Sequence, residues 1–163
     1  MLANSVSRME DGVRKQLVSQ IEIDASPEVV WEVLTDLAAY PKWNPFIVRA
    51  EGRIEIGARL TLRMQPDGAR PVTVKPTVLE VAEGRRLSWL GRLVLPGMFD
   101  ARHVFVLEAR QNGGTRLQQT EDFHGVLVPL LARSLDRHTL PAFVAMNEAI
   151  KRQAESVVPH HRG

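Results

Sequence analysis

The chain has no cysteine among its 163 residues. That excludes a disulfide framework, a thiolate metal site and a cysteine nucleophile, and leaves packing to hold the fold. No apolar run approaches the length of a membrane span, and the opening MLANSVSRMEDGVRK lacks the apolar centre of a signal peptide, so a soluble, cytoplasmic protein is expected. Internal repeats and low-complexity tracts are missing too. Neither sign of charge dominates, with 21 Lys and Arg against 19 Asp and Glu, and the arginines are scattered along the chain. Nucleic-acid binders concentrate such charge on one face, so a solvated surface is the reading and no nucleic-acid partner is expected. There is no Gly-x-Ser-x-Gly elbow and no phosphate-cradling Gly loop, and Ser134 and Thr139 have no base at a recognisable spacing. His160 and His161 lie in the tail without a carboxylate at ligand spacing, so no metal site is expected.

What is present begins with IEIDASPEVVWEVLTDLAAYPKWNPF, from Ile21 to Phe46. Ile21 and Ile23 alternate with Glu22 and Asp24, the pattern of a half-buried strand. Ser26, Pro27 and Glu28 then open a helix: Ser26 as a side-chain cap, Pro27 where its missing N–H does no harm, Glu28 at the positive end. Val30, Trp31 and Leu34 give that helix an apolar stripe, and a second short helical stretch, Asp36 to Ala39, is expected to stop at Pro41. Trp43 and Phe46 flank a turn.

Alternating segments separated by turn residues follow, as in an antiparallel meander. Leu60, Leu62 and Met64 share one face, Val72 and Val74 continue the pattern, and Pro76 implies an edge or bulge. Leu87 and Trp89 come next, with Gly91 leaving the Trp89 face open. On the following strand Phe99, Ala101, His103, Phe105 and Leu107 lie on one side, and after Asn112-Gly113-Gly114 so do Leu117, Gln119, Glu121 and Phe123. The register that keeps both apolar sets together pairs Leu107 with Leu117 and Phe105 with Gln119, and sets His103 opposite Glu121. From Val128 to Val157 the pattern is helical, with Leu131, Leu135, Phe143, Met146 and Ile150 on one stripe. Pro141 predicts a kink or break between Asp136 and Pro141.

The segments SPEVVWEVLTD, YPKWNPF, the Gly113–Thr115 hairpin, FHG at Phe123–Gly125 and AFVAMNEAIK from Ala142 to Lys151 resemble the START/Bet v 1-like (SRPBCC) superfamily, within it the polyketide cyclase/dehydrase-like group. The resemblance runs from about Gln16 to Val157. It implies an α+β helix-grip fold: a strongly curved antiparallel sheet of six to seven strands, two short helices after the first strand, and a long C-terminal helix. It also implies a hollow between sheet and helix. The domain is set at residues 16–157, with a flexible N-terminal extension over 1–15 and a frayed tail over 158–163.

On that resemblance the leading function is binding of a small hydrophobic or aromatic molecule such as a polyketide, lipid, isoprenoid quinone or steroid-like compound. A cyclase, aromatase or dehydratase is the alternative, with His103 and Glu121 as an acid/base pair and no metal or organic cofactor. A protein-interaction module with a filled core is a third, and monomer and homodimer both stay open. The ligand wall would draw on Trp43, Phe46, Leu62, Met64, Trp89, Phe99, His103, Phe105, Gln119, Glu121, Phe123, Leu135, Phe143 and Met146. The bland readings stand beside these. His103 and Glu121 form a cross-strand pair that simply fixes register, and Trp89 is plain core. His124 is a partly exposed structural histidine at the strand end, Asp122 faces solvent, and His138 caps carbonyls near the helix break.

Overall fold

A computed structural model describes residues 4–93 and 95–157. Its elements are β1 (Asn4–Glu10), β2 (Arg14–Ile23), α1 (Pro27–Thr35), α2 (Tyr40–Trp43), β3 (Ile47–Glu51), β4 (Thr61–Met64), β5 (Val72–Val74), β6 (Thr77–Ala82), β7 (Arg86–Leu93), β8 (Phe99–Ala109), β9 (Thr115–His124), α3 (Val128–Ser134) and α4 (Leu140–Val157). Six strands make one curved antiparallel sheet in the order β1-β2-β9-β8-β7-β6, while β3, β4 and β5 form a smaller sheet of their own. The helix-grip architecture follows, because α4 lays Phe143, Met146 and Ile150, all fully buried, against the inner face of the large sheet.

Period-two alternation builds that inner face. Along β2, Leu17, Ser19, Ile21 and Ile23 are buried and their neighbours only half so. The β8/β9 ladder has the register that the apolar pattern sets, with Leu107 opposite Leu117, Phe105 opposite Gln119 and His103 opposite Glu121.

Residues 1–15 do not all stay outside the domain. Asn4–Glu10 pairs with β2 along its length, from Asn4 opposite Gln20 to Glu10 opposite Arg14. The turn is made by Asp11 and Gly12, both at positive φ (50° and 67°), a conformation that the Asp-Gly dipeptide adopts readily and that signals a hairpin. The flexible extension expected there is therefore corrected to an edge strand, and the two short helices follow the second strand of the chain rather than the first. The tail over 158–163 lies outside the described residues.

Two local expectations also change. Ser26 occupies the cap position of α1 with extended backbone, but its side chain makes no bond to the first-turn amides. It hydrogen-bonds Glu28 instead, which holds that carboxyl below the usual range. Pro41 does not stop the second helical stretch. A 3₁₀ turn at Leu37–Ala39, capped by the Asp36 side chain, runs straight into α2, where Pro41 sits in the first turn and needs no donor.

The terminal helix is interrupted where proline demanded it. Between α3 and α4 the segment Leu135–Thr139 is π-helical, and the amide of Leu140 donates to the carbonyl of Leu135. In an α turn the Pro141 ring would press on the carbonyl four residues back; the wider turn relieves that contact and lets the helix continue. Lys15 clamps this segment from the sheet. Although only 3% exposed, its ammonium lies 2.9 and 3.0 Å from the two carboxylate oxygens of Asp136, which also accepts from the Ser7 hydroxyl at 2.5 Å.

Burial opposes ionisation of Asp136, but the Ser7 hydroxyl and the Lys15 ammonium outweigh it and hold the carboxyl below the usual carboxylate range. A group lowered in this way contributes stability above its unfolded pKa and loses it as pH falls through the folded one. Asp136→Asn is expected to lower the melting temperature at neutral pH and to flatten its decline on acidification. An acid limb parallel to that of the wild type would show that the clamp adds nothing. Gly125, at φ 138°, packs its α-carbon against the Met98 carbonyl, where any Cβ would collide. Gly125→Ala should cost roughly 1–3 kcal/mol, read from the urea midpoint.

Candidate functional site

The inner face of β7, β8 and β9 does not meet the helical layer everywhere. Toward the β4–β5 hairpin and the π-helical segment it leaves a cavity of about 220 Å³. Its deep wall is apolar: Phe46, Trp89, Phe99, Phe123 and Leu135 are buried there, and Met64 is half-buried. Asn44 sets one side, since its side-chain oxygen accepts from the amides of both Phe46 and Ile47 at 2.9 Å and so fixes the turn that presents the Phe46 ring. The mouth is formed by Pro66, Val72, Arg92, Leu93 and Thr139. Its two sides are joined by His138, whose Nδ1 lies 2.9 Å from the carbonyl of Asp67 in the hairpin. His138 thus meets a carbonyl of the opposite element, not one of its own helix.

Among the described residues Glu121 is the one buried carboxylate on the wall, at 7% exposure, and the other charged lining residue, Arg92, is exposed at the rim. His103 and Gln119 stand behind the wall. Trp89 stacks on the His103 ring with centroids 5.3 Å apart and planes 28° apart, and Phe105 and Phe143 pack at 4.5 and 5.0 Å. The imidazole is 1% exposed. Among the described residues its Nδ1 has no hydrogen-bond partner, and it lies 3.7 Å from a carboxylate oxygen of Glu121. Its Nε2 lies 3.1 Å from Gln119 Oε1.

From Gln119 a polar chain crosses the core. The Gln119 amide nitrogen donates to the Phe143 carbonyl at 3.3 Å and to Asn147 Oδ1, and Asn147 Nδ2 donates to the Ser19 hydroxyl at 2.9 Å. Ser19, Gln119 and Asn147 are all fully buried. Burying unpaired polar groups is costly, and this chain pairs nearly all of them.

Of the expected ligand wall, Phe46, Met64, Trp89, Phe99, Glu121, Phe123 and Leu135 are brought together around the cavity. Leu62, Phe105, Phe143 and Met146 are fully buried in the adjoining core and do not line the cavity, and Trp43 packs edge-on against Tyr40 at 4.9 Å. Tyr40 donates to the Leu34 carbonyl at 2.7 Å; burial, with Asp36 assisting, raises its phenol well above the ordinary range. His124 and Asp122 are exposed. Among the described residues no three His, Asp or Glu side chains are grouped to hold a metal ion.

Sequence reasoning passed over several members. Leu93 follows Trp89 in the same phase and, beyond the Gly91 that leaves the face open, reaches the cavity. Asn147 and Ser19 are polar residues at otherwise apolar spacings, four after Phe143 on the helix and two after Leu17 on β2, and that misfit is the signal that could have found them.

No helix among the described residues is long and apolar enough to cross a membrane. No curated protein sequence matches the chain significantly. Solved structures do. The Zhui aromatase/cyclase from Streptomyces sp. R1128 is similar with a TM-score of 0.74 at 21% identity, over 92% of this chain and 99% of that one. Norcoclaurine synthase from Thalictrum flavum, in complex with dopamine and hydroxybenzaldehyde, gives a TM-score of 0.70 at 15% identity, over 90% of both chains. The protein MLL2253 from Mesorhizobium loti gives 0.68 at 17% identity, over 88% of this chain and 99% of that one. Likeness at such identities establishes the shared fold. The family described as polyketide cyclase/dehydrase and lipid transport matches residues 14–158, nearly the whole chain, and the protein belongs to it.

Proposed function

We propose that the protein binds a compact, ring-bearing apolar molecule in the cavity between sheet and helical layer, with the molecule's polar end at Glu121. One observation carries this reading: an aromatic-lined hollow with a single buried carboxylate on its wall. Apolar lining with few placed polar groups is the usual make-up of a small-molecule site. Size narrows the guest. A cavity of about 220 Å³ exceeds the roughly 150 Å³ that accepts benzene and falls short of the roughly 300–1,000 Å³ typical of drug-sized ligands. One or two fused rings fit, or the ring end of a longer polyketide, quinone or lipid whose remainder leaves through the mouth. A filled-core interaction module draws no support from a core with this hollow.

An enzyme of the cyclase or dehydratase type is the second reading, favoured by the partnerless Nδ1 of His103 at 3.7 Å from Glu121. There Glu121 would take a proton from the bound molecule and pass it to Nδ1, so that the imidazolium formed is balanced by the restored carboxylate. The aromatase/cyclase and synthase named among the structural relatives lend this reading its prior.

Gly91 tests the cavity directly. A Cβ built on it meets nothing closer than 3.9 Å, so a larger side chain would grow into open space. Gly91→Leu is expected to weaken quenching of tryptophan fluorescence by 2-methoxynaphthalene at least about tenfold in Kd while leaving the melting temperature unchanged or higher. Equal affinity in wild type and variant would sink the assignment of this cavity.

A further inference from the structure

The hydrogen-bond chain behind the cavity wall has only one consistent direction, and it ends on His103. The Phe143 carbonyl is an unconditional acceptor. The Gln119 side-chain atom beside it must be the NH₂ group, since turning the amide over would set two carbonyl oxygens against each other at 3.3 Å. Asn147 then accepts from the same NH₂ through Oδ1, which leaves its own NH₂ for the Ser19 hydroxyl. Gln119 Oε1 is thereby turned toward His103 Nε2, and an oxygen 3.1 Å away requires a hydrogen on that nitrogen. In the neutral ring Nδ1 is left as a bare lone pair facing Glu121, fully buried and without a partner.

We propose that Gln119, oriented by the Phe143 carbonyl and Asn147, is a positioning residue that fixes His103 as its Nε2–H tautomer, so that the cavity's one buried carboxylate selects ligands bringing a hydrogen-bond donor, a phenolic or enolic hydroxyl, over those offering only an acceptor. With no hydrogen on Nδ1, the imidazole gives Glu121 nothing to accept. The carboxylate keeps its acceptor capacity for the guest, and neither group can donate to a ketone or an ether oxygen. The pair is thus polarised opposite to a carboxylate that orients a histidine by accepting from its Nδ1–H. The ligand part of the proposal rests on the cavity reading above; the tautomer does not.

The free protein decides the first part. With selectively nitrogen-labelled histidine, at a pH where the ring is neutral, the ring nitrogen shifts of His103 are expected to report hydrogen on Nε2. Gln119→Leu removes the acceptor and should move the hydrogen to Nδ1, toward Glu121, whereas Gln119→Glu keeps an acceptor opposite Nε2 and should retain the wild-type form. A purely structural Gln119 would leave the tautomer unmoved in both variants. Hydrogen on Nδ1 in the wild type overturns the proposal without any variant having to fold. For the second part, naphthalen-2-ol should bind the wild type about tenfold more tightly than 2-methoxynaphthalene, and the preference should collapse in Gln119→Leu. Equal affinity of the two probes overturns the donor selection. Failure of both probes to bind counts against the cavity reading, while the tautomer still stands or falls on its own.

Discussion

The register between β8 and β9 is the constraint on which the remainder depends. Side chains alternate across a strand, so a slip of either strand by one residue against the other would turn its inward pair, His103 and Phe105 on β8 or Gln119 and Glu121 on β9, to the solvent face. No cavity wall and no polar chain would survive that exchange. The ladder is secured on both flanks. β7 pairs with β8 so that Trp89 lies opposite His103, and β2 pairs with β9 so that Ser19 lies opposite Gln119. The same register therefore lays Trp89 on the imidazole and puts Ser19 within reach of Asn147 beside Gln119.

Much of this was legible in the sequence because it is periodic. Alternation in Phe99–Leu107 and Leu117–Phe123 sufficed to set the ladder, and one helical stripe sufficed to lay the terminal helix on the sheet. The division of the inner face between cavity and core was not legible. Phe105 and Phe123 look alike in the pattern, yet the first is sealed in the core beside Trp89 and His103 and the second stands beside open space, a difference that alternation along a strand does not encode. Buried polar residues escaped for a related reason. Residue type gives no reason to place Lys15 and Asn147 inside, and only partners 121 and 128 positions away make their burial tolerable. The N-terminal strand is different, since Asp11-Gly12 is a local hairpin signal that was present in the sequence and went unused.

Hollow and helix are linked through Pro141. A regular helix through this point would carry the ring into the preceding carbonyl, and the π-helical segment is the local remedy. Both Leu135 and Thr139, the first and last residues of that segment, line the cavity. Backbone irregularity is thus concentrated at the edge of the site, as is common for π turns, and the Lys15–Asp136 clamp keeps it in one place. Stability and site shape are supplied here by the same few residues.

The contact across the mouth bears on kinetics. His138 and the Asp67 carbonyl are joined by one hydrogen bond beside water, a bond worth about 1 kcal/mol, and the hairpin beyond it carries Gly68 at its tip. Such a closure yields within the ordinary fluctuations of a surface loop, on the nanosecond to microsecond scale. On the proposed function, the stay of a guest would be set by its fit among the rings and at the carboxylate, not by the barrier at the entrance. Exchange with the surroundings would then be fast for poor guests and slow only for good ones.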